Sequence, residues 1–250
     1  MSDAESWSEI AEEWARSWGS VMQPVHVRLL DVCRIEADSA VLDVGCGSGE
    51  FLASLLERGA HAAGVDPAAG MVAEARRRAG DADIREGSWR ELPWPDASFD
   101  VVATVNALQY ADDTSAALTE ARRVLRAGGL IAVANWADRE LNQLDAIESA
   151  LATAAGDETP PDGDLRLPGG LEAVLVEAGF DLVEAGTVDV TWAPADDVAL
   201  LRGVLLDDDP HPEDKRVVLE AAAPFRRADG GYVLENVFRY AVGRTSGAER

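Results

Sequence analysis

The chain has 250 residues and a formal net charge of −24, from 46 acidic against 22 basic side chains. That length suits one α/β domain with some decoration and buries a core without disulfides or metal. The charge disfavours a nucleic-acid partner, since a phosphate backbone favours a basic face, and the densest basic cluster, Arg76-Arg77-Arg78, reads as the solvated face of a helix.

In chain order, residues 5–19 place Trp7, Ile10, Ala11, Trp14 and Trp18 at spacings of three and four, which predicts a helix with one apolar face. A second helix follows over 21–35, with Val21, Val25, Leu29, Val32 and Cys33 in similar spacing. AVLDV (40–44) reads as a short buried strand, 49–58 as a helix, HAAGVD (61–66) as a second strand and 67–79 as a helix. Pro67 stands near that helix start, where a missing N–H costs little. ADIREG (82–87) is a weaker strand, WPDAS (94–98) a turn and FDVVATV (99–105) a fourth strand. A helix over 113–126 is predicted to stop at Gly128-Gly129, before a fifth strand, LIAVANW (130–136). This alternation indicates a parallel sheet covered on both faces. Beyond it, helices are predicted over 140–155, 170–178, 193–206 and 212–223, with a loop at 156–164 and alternating strands at 180–192 and 232–244.

No apolar run approaches the ~20 residues of a membrane helix, and the start, MSDAESWSEI, lacks the apolar core of a signal peptide. With Cys33 and Cys46 the only cysteines, no disulfide framework is indicated. A soluble, cytoplasmic protein without membrane contact is expected.

The stretch VLDVGCGSGEF (41–51) carries the chemistry. Glycines after a strand let a ligand approach the backbone, and the following helix points its N–H groups at it. The dinucleotide fingerprint G-x-G-x-x-G would need its third glycine where Glu50 stands, which puts negative charge in the place of a pyrophosphate. Asp43, two residues before Gly45, suits a ligand carrying an ammonium or a sulfonium. Asp66 ends the second strand, where sheets of this kind bind ligands; its carboxylate either accepts two hydrogen bonds from a ribose diol or caps the next helix.

With these features the sequence resembles the class I S-adenosylmethionine-dependent methyltransferases, in particular the ubiquinone/menaquinone-biosynthesis-like small-molecule group. The matching stretches are VLDVGCGSGEF (41–51), GVDPAAGMVAEAR (64–76), LPWPDASFDVV (92–102) and EARRVLRAGGLIAVANW (120–136). LRLPGGLEAVLVEAGFDLVEAG (165–186) and ADGGYVLENVFRYAVGR (228–244) look, more weakly, like the family's C-terminal half. The resemblance implies a Rossmann-like, seven-stranded, mostly parallel sheet with the last strand antiparallel, helices on both faces and a helical lid. It implies one domain over 1–250, with an N-terminal helical cap (1–34), a cofactor-binding core (38–137) and lid segments at 138–168 and 193–228. It implies S-adenosylmethionine as cofactor, S-adenosylhomocysteine as product, no metal, and a monomer or homodimer.

Carried over residue by residue, Gly45, Gly47 and Gly49 line the methionine and ribose portion, and Asp43 stands beside the methionine ammonium. Asp66 binds the ribose hydroxyls, Pro67 or Met71 flanks the adenine, and Asn106 faces the transferable methyl. Ser88 stands where many relatives carry an acid for the adenine amino group; its hydroxyl still accepts a hydrogen bond, and Trp89 offers a stacking face.

For a base, His26 in the N-terminal helices and Tyr110 after the fourth strand are the candidates. His61 and His211 read as structural and exposed, and Gln109 and Trp136 as substrate contacts or packing. Trp7, Trp14 and Trp18 ahead of the core favour an apolar or aromatic acceptor. The amide-methylating tetrapeptide Asn/Asp-Pro-Pro-Tyr/Phe is absent: NALQY (106–110) stands there. The expected function is methyl transfer to an O, N or C nucleophile of a small molecule. The alternatives are a binding protein of the same fold without transferase activity and a macromolecular methyltransferase.

Overall fold

The computed structural model describes residues 3–159, 161–207 and 209–246. Seven strands form one sheet in the order β3-β2-β1-β4-β5-β7-β6. Its first half is β1 (Ala40–Val44), β2 (His61–Asp66), β3 (Asp83–Glu86) and β4 (Phe99–Val105), all paired in parallel. β5 (Leu125–Trp136) continues the parallel set beside β4. β7 (Leu234–Thr245) inserts antiparallel between β5 and β6 (Phe180–Trp192).

The period of two decides what each strand buries. On β1, Val41 enters one core and Leu42 and Val44 the other, so Asp43 shares the face of Val41. That face is covered by α3 (Gln23–Val32), α4 (Glu50–Glu57) and α5 (Ala69–Arg78), then by α7 (Gln143–Ala155), α9 (Asp197–Leu205) and α10 (Pro212–Ala222). The opposite face carries α6 (Thr114–Val124) and α8 (Gly170–Glu177). Both faces of the parallel half are buried, which is why its strands read as near-continuous apolar runs.

Two boundaries differ from the sequence expectation. The helix over 113–126 ends at Val124, and Leu125 already pairs with Phe99. The register then shifts, so that Val101 pairs with Leu130, and Gly128 takes φ +76° in the extra loop of chain. The glycines thus make an irregularity inside β5, where chain must be absorbed without losing the pairing on either side. The helix over 5–19 divides into α1 (Asp3–Glu9) and α2 (Ala11–Trp18). Ser8 on α1 lies against α5, where Gly70 N donates to Ser8 Oγ at 3.2 Å. A Cβ on Gly70 would stand 2.3 Å from the Ser8 carbonyl oxygen, so only glycine admits this approach. No helix of the described residues is long and apolar enough to cross a membrane.

Candidate active site

Strand order reverses between β1 and β4, and a cavity of about 720 Å³ opens at the carboxyl ends of β1, β2 and β4. Open α/β sheets bind ligands at such switch points, and the volume lies within the roughly 300–1,000 Å³ of small-molecule sites.

The glycine turn is tied to β2, because Gly45 N and Cys46 N both donate to Val65 O, at 2.8 and 3.0 Å. Gly45, Gly47 and Gly49 take φ of +75°, +50° and +87°, but each is glycine for its own reason. A Cβ on Gly45 would meet Ala107 Cβ at 2.3 Å, and one on Gly49 would meet Ala75 Cα at 2.8 Å. A Cβ on Gly47 would meet nothing within 4 Å. Gly45 and Gly47 line the cavity, whereas Gly49 does not and instead lets α4 approach α5.

Asp66 does two jobs at once. Its Oδ2 accepts from Gly47 N and its Oδ1 from Ala68 N, both at 2.9 Å, so it braces the turn and the entry to α5. It also lines the cavity, with oxygen lone pairs still unused. Burial raises its pKa against the pull of those two N–H groups.

Asp43 is 3 % exposed, lines the cavity, and has no hydrogen-bond partner at Oδ1. Burial pushes its pKa up to about 8, with further increments from the charges of Asp66 and Glu50. Such a group is an incomplete pair: a buried carboxylate needs a cation or donors to offset its desolvation. Glu50, read from the sequence only as an obstacle to pyrophosphate, is itself part of the wall. It accepts from Ser48 Oγ at 2.7 Å and pairs with Arg78 at 2.9 Å, yet burial still raises its pKa.

Pro67, Met71, Ser88 and Trp89 line the same cavity. Asn106 lines it too, at φ +52°, with Gln109 Nε2 donating to its backbone and side-chain oxygens at 3.0 Å. Under the N-terminal helices the wall is apolar: Trp7, Trp14, Trp18, Met22 and Phe51. His26 joins them, 5 % exposed, its ring centroid 5.2 Å from that of Phe51. Its imidazole makes no hydrogen bond with the described residues, and burial lowers its pKa to about 4, so it is neutral near pH 7. Tyr110 sits at the rim, 52 % exposed, edge-on to Trp7 at 6.0 Å.

Among the described residues of 138–168 and 193–228, none lines this cavity. α7, α9 and α10 pack on one another and on the sheet, and α9 buttresses α2 from behind, where Gly203 O accepts from Trp18 Nε1 at 2.9 Å. Ala4 and Trp7 of α1 and Trp14 and Trp18 of α2 line the cavity. Trp136 packs on Trp18 and Phe238 away from the wall, and His211 Nδ1 accepts from Glu213 N at the start of α10. Sequence reasoning missed Met22, Phe51 and Arg90 as wall residues; the first two carried only a core-like apolar signal, and a lone arginine in a loop carries none.

Fold and site together define an α/β protein with a nucleotide-type cavity at the switch point, acid-lined beneath a tryptophan-rich cap. Residues 42–133 match the family model of a methyltransferase domain. A malonyl-[acyl-carrier protein] O-methyltransferase of Geobacter sulfurreducens is 30% identical over 247 residues, covering 93% of this chain and 87% of that protein. The protein of the same name from Serratia marcescens is 33% identical over 141 residues, 54% of this chain and 55% of the relative, so the chain spans about half of that relative's length. A Thermotoga maritima structure of an S-adenosylmethionine-dependent methyltransferase superposes with a TM-score of 0.57 at 21% identity, covering 96% of this chain and 98% of that one. The chain belongs to the class I S-adenosylmethionine-dependent methyltransferases.

Proposed function

We propose that the chain transfers a methyl group from S-adenosylmethionine to a small-molecule acceptor held beneath the N-terminal helices. The observation that carries this is Asp43, a buried carboxylate with an unpartnered oxygen, beside the one glycine of the turn whose Cβ position is open. Such a wall fits a ligand with an ammonium at Asp43 and backbone contact at Gly47, with a diol at Asp66. In this reading Pro67, Met71, Ser88 and Trp89, which line the same cavity, hold the flat base, and Asn106 faces the methyl. When bound, the cofactor supplies an electrophilic methyl on a sulfonium.

The chain's own residues supply alignment and dryness. Holding two reactants in register is worth on the order of 7–11 kcal/mol, so a strong base is dispensable. His26 fits that division of labour: neutral and weakly basic, it accepts a hydrogen bond from the nucleophile and orients it. Tyr110, at the rim, meets the acceptor from the outer side. The names of the relatives suggest a malonyl thioester as a narrower choice of acceptor, but its carboxylate would enter a wall that already carries Asp43, Glu50 and Asp66.

Calorimetry tests the reading. S-Adenosylmethionine and S-adenosylhomocysteine should bind and NAD should not; NAD binding without a response to S-adenosylmethionine would refute it. A screen of phenols, amines and quinone-like compounds, read as S-adenosylhomocysteine released, then finds the acceptor. Tight cofactor binding with no turnover on any acceptor would favour a cofactor-retaining binding protein.

A further inference from the structure

We infer that the acceptor part of the cavity selects a small amine with an apolar or aromatic body over a carboxylate of the same shape. This rests on the methyl-transfer reading above and adds the class of acceptor to it.

The first observation is charge. Among the described residues, the cavity is lined by the acids Asp43, Glu50, Asp66, Asp112 and Asp113, and by one cationic side chain, Arg90. Arg90 is exposed at the mouth, its Nη2 2.7 Å from Asp112, so water screens its charge. Glu50 is offset by Arg78. A cofactor ammonium at Asp43 still leaves the wall acidic: Asp66 is held by the N–H groups of Gly47 and Ala68 and Asp113 by that of Ala116, and neither has a cationic partner among the described residues. An incoming carboxylate finds no buried cation there among the described residues, and leaving water costs it free energy. An ammonium or a neutral amine is drawn in, and the −24 of the whole chain acts in the same direction at longer range.

The second observation is the shape and chemistry of the cap. The rings of Trp7 and Trp14 lie 5.1 Å apart at 89°, and Trp14 and Trp18 lie 5.7 Å apart at 23°. All three line the cavity, so its upper wall turns a corner of indole rings. Tryptophan faces attract cations and cover flat apolar groups. To an anion they offer only an edge N–H, and that of Trp18 is already donated to Gly203 O.

The third is His26. Its imidazole is unprotonated near neutral pH, makes no hydrogen bond among the described residues, and stands in the wall. An N–H of an amine satisfies an accepting ring nitrogen.

The experiment uses the full chain saturated with S-adenosylhomocysteine. Phenethylamine and 3-phenylpropionate, nearly the same shape and opposite in charge, are titrated in separately at neutral pH, followed by tryptophan fluorescence and calorimetry. Phenethylamine should bind about tenfold tighter or better, and added salt should narrow the ratio by screening the charges. Trp14→Leu should weaken the amine more than the carboxylate. Equal or tighter binding of the carboxylate, or binding of neither, overturns the inference. Failure of S-adenosylhomocysteine to bind at the first step instead removes the reading beneath it.

Discussion

Asp43→Asn should make the ligand-free protein more stable in mild alkali while disabling its cofactor site. Burial lifts the Asp43 pKa from 3.8 to about 8. The folded chain therefore binds this proton more tightly than the unfolded chain does. Its stabilising effect is complete below about pH 4 and is lost as pH rises towards about 8, at ~1.4 kcal/mol per unit. Over the span from about pH 5 to pH 8 the loss reaches on the order of 4 kcal/mol. Asparagine has the same shape and no proton to lose, so it contributes no such slope. Its amide leaves a buried donor or acceptor unpaired, which costs roughly 1–3 kcal/mol at every pH. The variant should thus be the less stable protein near pH 4 and the more stable one near pH 8, with the two curves crossing between. Asp66 and Glu50 titrate in both proteins and largely cancel from the difference. Urea unfolding of both proteins without ligand at the two pH values measures it. A stability difference that does not change with pH would refute the account of Asp43 as a buried, uncompensated acid.

Other outcomes follow from the same wall. S-Adenosylmethionine binding near neutral pH should release a proton as its ammonium draws Asp43 into the ionised form, seen by calorimetry in buffers of different ionisation enthalpy; no buffer dependence would place the ammonium elsewhere. Asp66→Ala should weaken cofactor binding about tenfold or more beyond Ser88→Ala, because a charge-assisted bond to a diol outweighs one neutral hydrogen bond; equal effects would misplace the ribose. Gly47→Ala should fold at a cost of about 1–2 kcal/mol in backbone strain and lose cofactor affinity, whereas Gly45→Ala, 2.3 Å from Ala107 Cβ, should cost stability by about 1–3 kcal/mol more. Thermal unfolding and calorimetry separate the two. Trp18→Ala should cost about 3–5 kcal/mol, since the ring is 4 % exposed and stacks on Trp192 at 4.6 Å.

Much of this was legible in the chain itself. The apolar runs at 40–44, 61–66 and 99–105 became β1, β2 and β4 because a parallel sheet buried on both faces needs such runs. The turn at 45–49 and the acids at its two ends were visible as letters, since glycine at positive φ and a carboxylate at a strand end are local requirements. The N-terminal apolar spacing was visible too, though not its division at Ile10, which goes with docking α1 on α5 through Gly70.

Pattern alone determined the alternating elements, the glycine turn and the place of Asp43 and Asp66 at strand ends, because these rest on periodicity and short-range sterics. Only the tertiary structure decided that Gly47 faces open space while Gly49 serves helix packing, that tryptophans of α1 and α2 line the cavity, and that Asp43 Oδ1 and the His26 imidazole stand there without a hydrogen bond among the described residues. Those facts depend on which distant groups burial brings together, and burial also sets the charge each group can keep.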